Sequence, residues 1–126
     1  MEKEGYVSIW LGNFPDDEAL MEYAAEDCRD DDDEYPSQFS KDFFNGEIWA
    51  FDPDFWERGI VEPSDDLAEL VEQFSYGETF EVENIKLNQS YNAVILVYDF
   101  KYETSEKTID APVKFIAAVP YENLDL

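Results

Sequence analysis

Tyr6-Val7-Ser8-Ile9-Trp10-Leu11-Gly12-Asn13-Phe14-Pro15 changes its hydrophobic rhythm part-way along. Val7, Ile9 and Leu11 alternate with Tyr6, Ser8 and Trp10, and β-branched and aromatic residues suit a pleated surface, so the first half predicts a strand. Gly12-Asn13 should stop it, because both residues tolerate positive φ. Pro15 fits the first position of a helix, where its missing N–H would be unpaired anyway. Asp16, Asp17 and Glu18 then place negative charge at the positive end of the helix dipole. The spacing of Leu20, Tyr23 and Ala24, widened by Met21 and Ala25, predicts a helix from Pro15 to about Asp27. Glu18, Glu22 and Glu26 form a like-charge ladder on another face, at a cost of a few tenths of about 1 kcal/mol per pair. A solvated face explains such a ladder, and so does a docking site for something positive.

Working outward, Glu26-Asp27-Cys28-Arg29-Asp30-Asp31-Asp32-Asp33-Glu34 follows, and Asp30 to Glu34 reads as loop. A calcium loop started at Asp30 would need glycine at its sixth position and glutamate at its twelfth. Tyr35 and Lys41 stand there, so no dedicated metal site is expected. Pro36 to Phe44 predicts a short helix capped by Ser37 or started by Pro36, with Phe39 and Phe43 on one buried face. Glu47 to Phe51 predicts a strand with a turn at Pro53, and its rings (Trp49, Phe51, Phe55, Trp56) interleave with Asp52 and Asp54. Pro63-Ser64 opens a third helix with Ser64 as N-cap and Leu67, Leu70, Val71 and Phe74 on one face.

Beyond Gly77 the period becomes two. Thr79 to Leu87 predicts a strand with a bulge at Asn84, where the phase shifts. Asn88-Gln89-Ser90 is a turn. Asn92 to Tyr102 is a long strand whose centre, Ala93-Val94-Ile95-Leu96-Val97, is apolar on both faces and so belongs inside a sheet. A polar loop, Glu103 to Asp110, leads to a last strand from Val113 to Val119, ended by Pro120. The expected fold is α+β: one antiparallel sheet of about four to five strands, with about three helices packed mainly on one side. At 126 residues without a linker or repeat, residues 1–126 are expected to form one domain.

Charge sets the chemistry. Asp plus Glu is 32 and Lys plus Arg is 8, for a net −24. Residues 1–74 hold 23 acids against 4 bases (−19), and residues 75–126 hold 9 against 4 (−5). Direct binding to nucleic acid or anionic lipid is disfavoured, since phosphate neutralisation needs Lys and Arg. A basic protein partner is favoured. An aromatic fraction of 17% separates the chain from disordered acidic proteins. There is no histidine, which removes histidine-based nucleophilic triads and most zinc sites. Cys28, the single cysteine, has no disulfide partner in the chain, and its acidic neighbours disfavour a thiolate. The charged start, Met1 to Gly5, lacks a signal core, and no apolar run is long enough to span a bilayer. The expectation is a cytoplasmic protein, monomeric when free, with no cofactor and no catalytic residues.

Val7 to Phe14, the acidic helix after it, and Pro36-Ser37-Gln38-Phe39-Ser40-Lys41-Asp42-Phe43 together resemble bacterial immunity protein family twenty-two, which is associated with polymorphic toxin systems. Phe51-Asp52-Pro53-Asp54-Phe55 resembles the family's segment after the second helix. The likeness covers most of the first half, and the second half in strand pattern only. It implies a role in binding and blocking a cognate toxin domain without catalysis, and it names no site residue. A basic, nuclease-type toxin would fit a carboxylate-rich face acting as a phosphate mimic. The residues expected to border the toxin-contacting face are Asp30, Asp31, Asp32, Asp33, Glu34, Tyr35, Asp52, Asp54 and Trp56. Trp10, Trp49 and Trp56 could each serve core or interface. One rival reading is a free-standing DNA mimic that titrates a DNA-binding protein. Another is a carboxylate hydrolase using Asp52 and Asp54 or the Asp30–Glu34 run, which would need a fixed carboxylate separation of about 5–5.5 or 6.5–9.5 Å across a cleft.

Overall fold

The computed structural model describes residues 2–24, 27–29, 33–35, 38–44, 55–103 and 111–122. Its centre is β5 (Tyr91–Phe100), whose run from Ala93 to Val97 is fully buried. On one side β5 pairs antiparallel with β1 (Glu2–Gly12), matching Ile9 to Leu96, Trp10 to Ile95 and Leu11 to Val94. On the other it pairs antiparallel with β4 (Trp56–Ser64), matching Trp56 to Val97 and Ile60 to Ala93. β6 (Val113–Pro120) lies beyond β1 and also runs antiparallel to it, giving the order β4-β5-β1-β6. The apolar centre of β5 thus reflects a strand with neighbours on both edges and cover on both faces.

The alternating side chains of β1 and β5 feed two cores. Trp10, Ala93, Ile95 and Val97 face α1 (Asp17–Ala24) and α2 (Gln38–Phe43), which bury Leu20, Tyr23, Ala24, Phe39 and Phe43. Val7, Ile9, Leu11, Val94 and Leu96 face α3 (Leu67–Val71), which buries Leu67, Leu70 and Val71. Two helices therefore cover one face and the third covers the other. Each large side chain so buried contributes roughly 1.5–3 kcal/mol from apolar surface removed from water. Trp10 is enclosed completely and belongs to the core. Its ring centroid lies 5.0 Å from Phe39, 5.3 Å from Tyr102 and 5.2 Å from Phe115.

Several local expectations are corrected by the structure. The first strand ends at Gly12, but not because of a positive φ, which Gly5 has and Gly12 does not. A Cβ on Gly12 would sit 2.7 Å from the Pro112 carbonyl oxygen, so close backbone approach is what demands glycine there. Asn13 is held by its side chain: its amide donates to the Ser90 carbonyl and its Oδ1 accepts from the Asn92 N–H. Asn92 reciprocates through Phe14, accepting from its N–H at 2.9 Å and donating to its carbonyl at 2.7 Å. Pro15 is not the first helical residue. Asp16 is the cap, accepting from the Ala19 N–H at 2.9 Å, and α1 ends at Ala24 rather than Asp27.

Asp27 instead starts β2 (Asp27–Arg29), which pairs antiparallel with β3 (Asp33–Tyr35), so Asp33 and Glu34 are strand residues rather than loop. Ser64 ends β4 and does not cap α3; Asp66 does, accepting from the Ala68 N–H. Ser64 supports that cap by accepting from the Asp66 N–H and donating to Glu69.

The strand expected over Thr79–Leu87, with its bulge at Asn84, is absent. A 3₁₀ turn (Gly77–Thr79) leads into an extended, turn-broken segment that buries Phe80 and Val82 on the α3 side of the sheet. An extended chain has period two whether or not it joins a ladder, and here the Val82 and Ile85 N–H groups bond within the segment. The irregularities fall elsewhere, in β1 between Glu2 and Val7, at Ile116 of β6, and in β4 before Ser64. β4 itself has no counterpart in the sequence reading. Pro63 is tolerated in it because β4 lies at the sheet edge. The strand expected over Glu47–Phe51, with Trp49, lies outside the described residues.

Candidate partner-binding surface

The residues that could meet a partner sit on elements exposed at the borders of this frame. The cap Asp16 is exposed, and on α1 Asp17, Glu18 and Glu22 are exposed while Leu20, Tyr23 and Ala24 face inward. The helix is locked to α2 from below. Tyr23 donates to Asp42 Oδ2 at 2.8 Å, and Gln38 donates to the other oxygen of the same carboxylate at 2.9 Å. Burial, then the hydrogen bond and charge of Asp42, push the Tyr23 phenol well above its ordinary pKa, so it remains a donor. The acidic outer face of α1 is therefore presented on a fixed base.

α1 packs beside the edge strand β4. Just before β4, Phe55 is 49% exposed, and Trp56, which opens the strand, is half-buried. The Trp56 ring stacks on Phe39 of α2, 6.3 Å between centroids and 18° between planes. The Arg58 guanidinium carbon lies 4.0 Å from the Trp56 ring centroid, a close cation–π contact. Residues two apart on a strand share a face, which is why Arg58 reaches Trp56. On the opposite face of β4, Glu57 accepts from the Ser75 N–H.

Carboxylates are also exposed on the other side of the sheet, at Asp65, Asp66, Glu69 and Glu72 around α3. A further open groove of about 480 Å³ is lined by Glu78, Thr79, Glu81, Pro120, Tyr121 and Glu122. The Tyr121 hydroxyl donates to Asp99 at 2.8 Å, and burial followed by that hydrogen bond raises its pKa. Among the described residues no group of three or more His, Cys, Asp or Glu is arranged to hold a metal ion. No helix among them is long and apolar enough to cross a membrane.

Of the residues predicted to border the partner face, Asp30, Asp31, Asp32, Asp52 and Asp54 lie outside the described residues. Asp33, Glu34 and Tyr35 form β3 in the two-stranded sheet, whereas Trp56 opens β4 in the four-stranded one. Trp56 is neither sunk in the core nor fully exposed; it forms the wall between core and edge. Phe55 and Arg58 were not among the predicted site residues. The signal for Arg58 was its spacing of two from Trp56, legible only once residues 56–64 are known to be a strand.

The fold is thus an α+β arrangement with exposed carboxylates on α1 and around α3, and with Phe55 and Trp56 at the β4 edge. A family model described as Immunity protein 22 matches residues 7–122, and the chain belongs to that family. The match extends through the second half, where the sequence likeness lay in strand pattern alone. No curated protein and no solved structure matches the chain.

Proposed function

We propose that this immunity protein binds a cognate toxin domain through its acidic surface and blocks it without performing chemistry, and that the toxin is a basic, nuclease-type protein. The observation that carries the reading is the net −24, −19 of it within residues 1–74, whose carboxylates are exposed on α1 and, across the sheet, around α3. A field of that sign accelerates encounter with a basic protein, toward about 10⁸–10⁹ M⁻¹s⁻¹ at low salt. Toxins that cleave nucleic acid carry cations around their active sites, because their substrates are polyanions. Carboxylates placed against those cations would occupy the substrate's phosphate positions.

In this reading the Asp30–Asp33 run, Glu34, Tyr35, Asp52, Asp54 and Trp56 border the contact face. Residues 1–126 act as one domain, monomeric before binding, in the cytoplasm of the producing cell. The test is a pull-down with the toxic domain encoded beside this gene, followed by co-expression in a sensitive strain. Capture and restored growth are expected; failure of both would reject the reading. Capture of a host DNA-binding protein, with no capture of the toxin domain, would select the DNA-mimic alternative.

A further inference from the structure

We infer that a strand of the toxin adds to the outer edge of β6 and places a Lys or Arg in the acidic groove at that strand's end. The inference rests on the toxin-binding reading and adds a contact at the far edge of the sheet from Trp56. β6 ends the order β4-β5-β1-β6, so it has a strand on one side only. Backbone groups of an antiparallel strand point alternately to its two edges. The Tyr121 N–H donates to the Gly5 carbonyl of β1 at 3.0 Å, whereas the Pro120 carbonyl accepts from the Glu81 N–H at 3.2 Å. Pro120 therefore faces outward, and Ala118, two residues before it, faces the same way. The Glu81 bond uses this edge at its last residue. Among the described residues, no backbone group from outside the sheet bonds to β6 before Pro120.

Sheet edges are commonly guarded against strand addition by charge, proline or bulges. The other edge, β4, has Glu57, Arg58, Glu62 and Pro63. β6 has Lys114 and one register shift at Ile116, and among the described elements it alone carries no Asp or Glu. Its half-buried Phe115, Ile116, Ala117 and Ala118 offer apolar side chains to a neighbouring strand. Where β6 ends, the character reverses. Pro120, Tyr121 and Glu122 meet Glu78, Thr79 and Glu81 around the open groove of about 480 Å³, and its three glutamates are exposed. Lys and Arg join an apolar stem to a cationic head, which suits a wall of proline and tyrosine beside carboxylates. The occupant is thus an extended segment with an apolar stretch bordered by a basic residue, which a basic toxin supplies. A second copy of this chain is a poor occupant, since it would bring −24 against −24. Main-chain hydrogen bonds hold the added strand, and the groove sets its register.

The experiment uses the full chain and a catalytically dead form of the toxin domain encoded beside this gene. Amide exchange is read residue by residue by NMR, free and in the complex. The Ala118 N–H should exchange at least about ten-fold more slowly once the toxin is bound. Surface plasmon resonance then compares variants. Ala118→Pro removes an outward N–H that β1 does not use, so the sheet should tolerate it while toxin affinity falls about ten-fold or more. Glu81→Lys with Glu122→Lys should cost a similar factor. Asp65→Lys with Glu72→Lys makes the same change of charge elsewhere and should cost much less. Thermal melts check folding, and if Ala118→Pro melts early the wild-type exchange decides alone. Toxin binding with Ala118 exchanging as in the free chain overturns the strand addition and leaves toxin binding standing. Equal losses from the two charge reversals overturn the groove. A wild-type chain that fails to bind overturns the toxin reading and this inference with it. A dimer of the free chain that Ala118→Pro dissolves, with toxin affinity unchanged, assigns the edge to a second copy and overturns the inference.

Discussion

Trp10 is fully enclosed by rings contributed from α2, from the chain after β5 and from β6. It joins the sheet to the helix layer that carries α1, so its loss should propagate to the acidic surface. Trp10→Ala is expected to cost about 3–5 kcal/mol, measured by urea denaturation, because the cavity cannot collapse among rigid rings. Among the described residues the Trp10 indole N–H has no hydrogen-bond partner. Trp10→Phe removes that donor along with volume and should cost clearly less than the alanine change. Equal costs would contradict a cost set by the cavity left behind.

Tyrosines supply a second test at the residue scale. Burial leads the causes that raise the Tyr23, Tyr98 and Tyr121 phenols, with Asp42, Glu57 and Asp99 adding negative charge beside each in turn. Their folded pKa values lie above the unfolded one of about 10. The stabilisation from keeping them neutral is fully present below that pH, and it is lost as pH rises toward the folded values. Stability should therefore decline above about pH 10, and phenolate absorbance should rise together with unfolding. Smooth titration of every tyrosine near its ordinary pKa in a folded chain would contradict the burial.

At the scale of elements, α3 spans only Leu67–Val71, too short to persist on propensity alone. It depends on its buried face and on the Asp66 cap backed by Ser64. Asp66→Ala is expected to cost about 1 kcal/mol by denaturant titration, and Ser64→Ala less. The reverse order would restore Ser64 as the cap, as its place before an acidic first turn suggested from the sequence.

The elements legible in the sequence were those whose burial alternates or concentrates. β1, β5, β6 and the apolar faces of the three helices announce themselves through Val7-Ile9-Leu11, Ala93–Val97, Val113–Val119, Leu20-Tyr23, Phe39-Phe43 and Leu67-Leu70-Val71. β4 did not, because an edge strand half-buried along its length, with Glu57, Arg58 and Gly59 near its start, shows no period. The segment after Gly77 misled for the opposite reason. Phe80 and Val82 alternate because the chain there is extended against the core on the α3 side, where the Glu81 N–H donates to the Pro120 carbonyl without forming a ladder. The candidate site was legible only as charge. Trp56 could be singled out by type, but its contacts with Phe39 and Arg58, and the exposure of Phe55, require the tertiary arrangement.

For the whole molecule, a net −24 on 126 residues sets the fold against its own charge. Exposed carboxylates lie on α1 and around α3, on opposite faces of the sheet, so the self-repulsion surrounds both cores. Salt shortens its range, to about 10 Å at 0.1 M. The melting temperature should rise as sodium chloride is added, the reverse of a protein held by surface ion pairs, and calorimetry at several concentrations checks it. The same charge that strains the free protein is what a basic partner would neutralise.

A negative field displayed to a cationic toxin makes arrival depend on ionic strength, so the test is the association rate with the toxin domain across salt concentrations. The wild-type rate should fall steeply with salt, and reversing Asp31, Asp32 and Asp33 to Lys should lower it and flatten that dependence. A wild-type rate that does not change with salt, or a reversed variant with wild-type kinetics at every salt concentration, would contradict it.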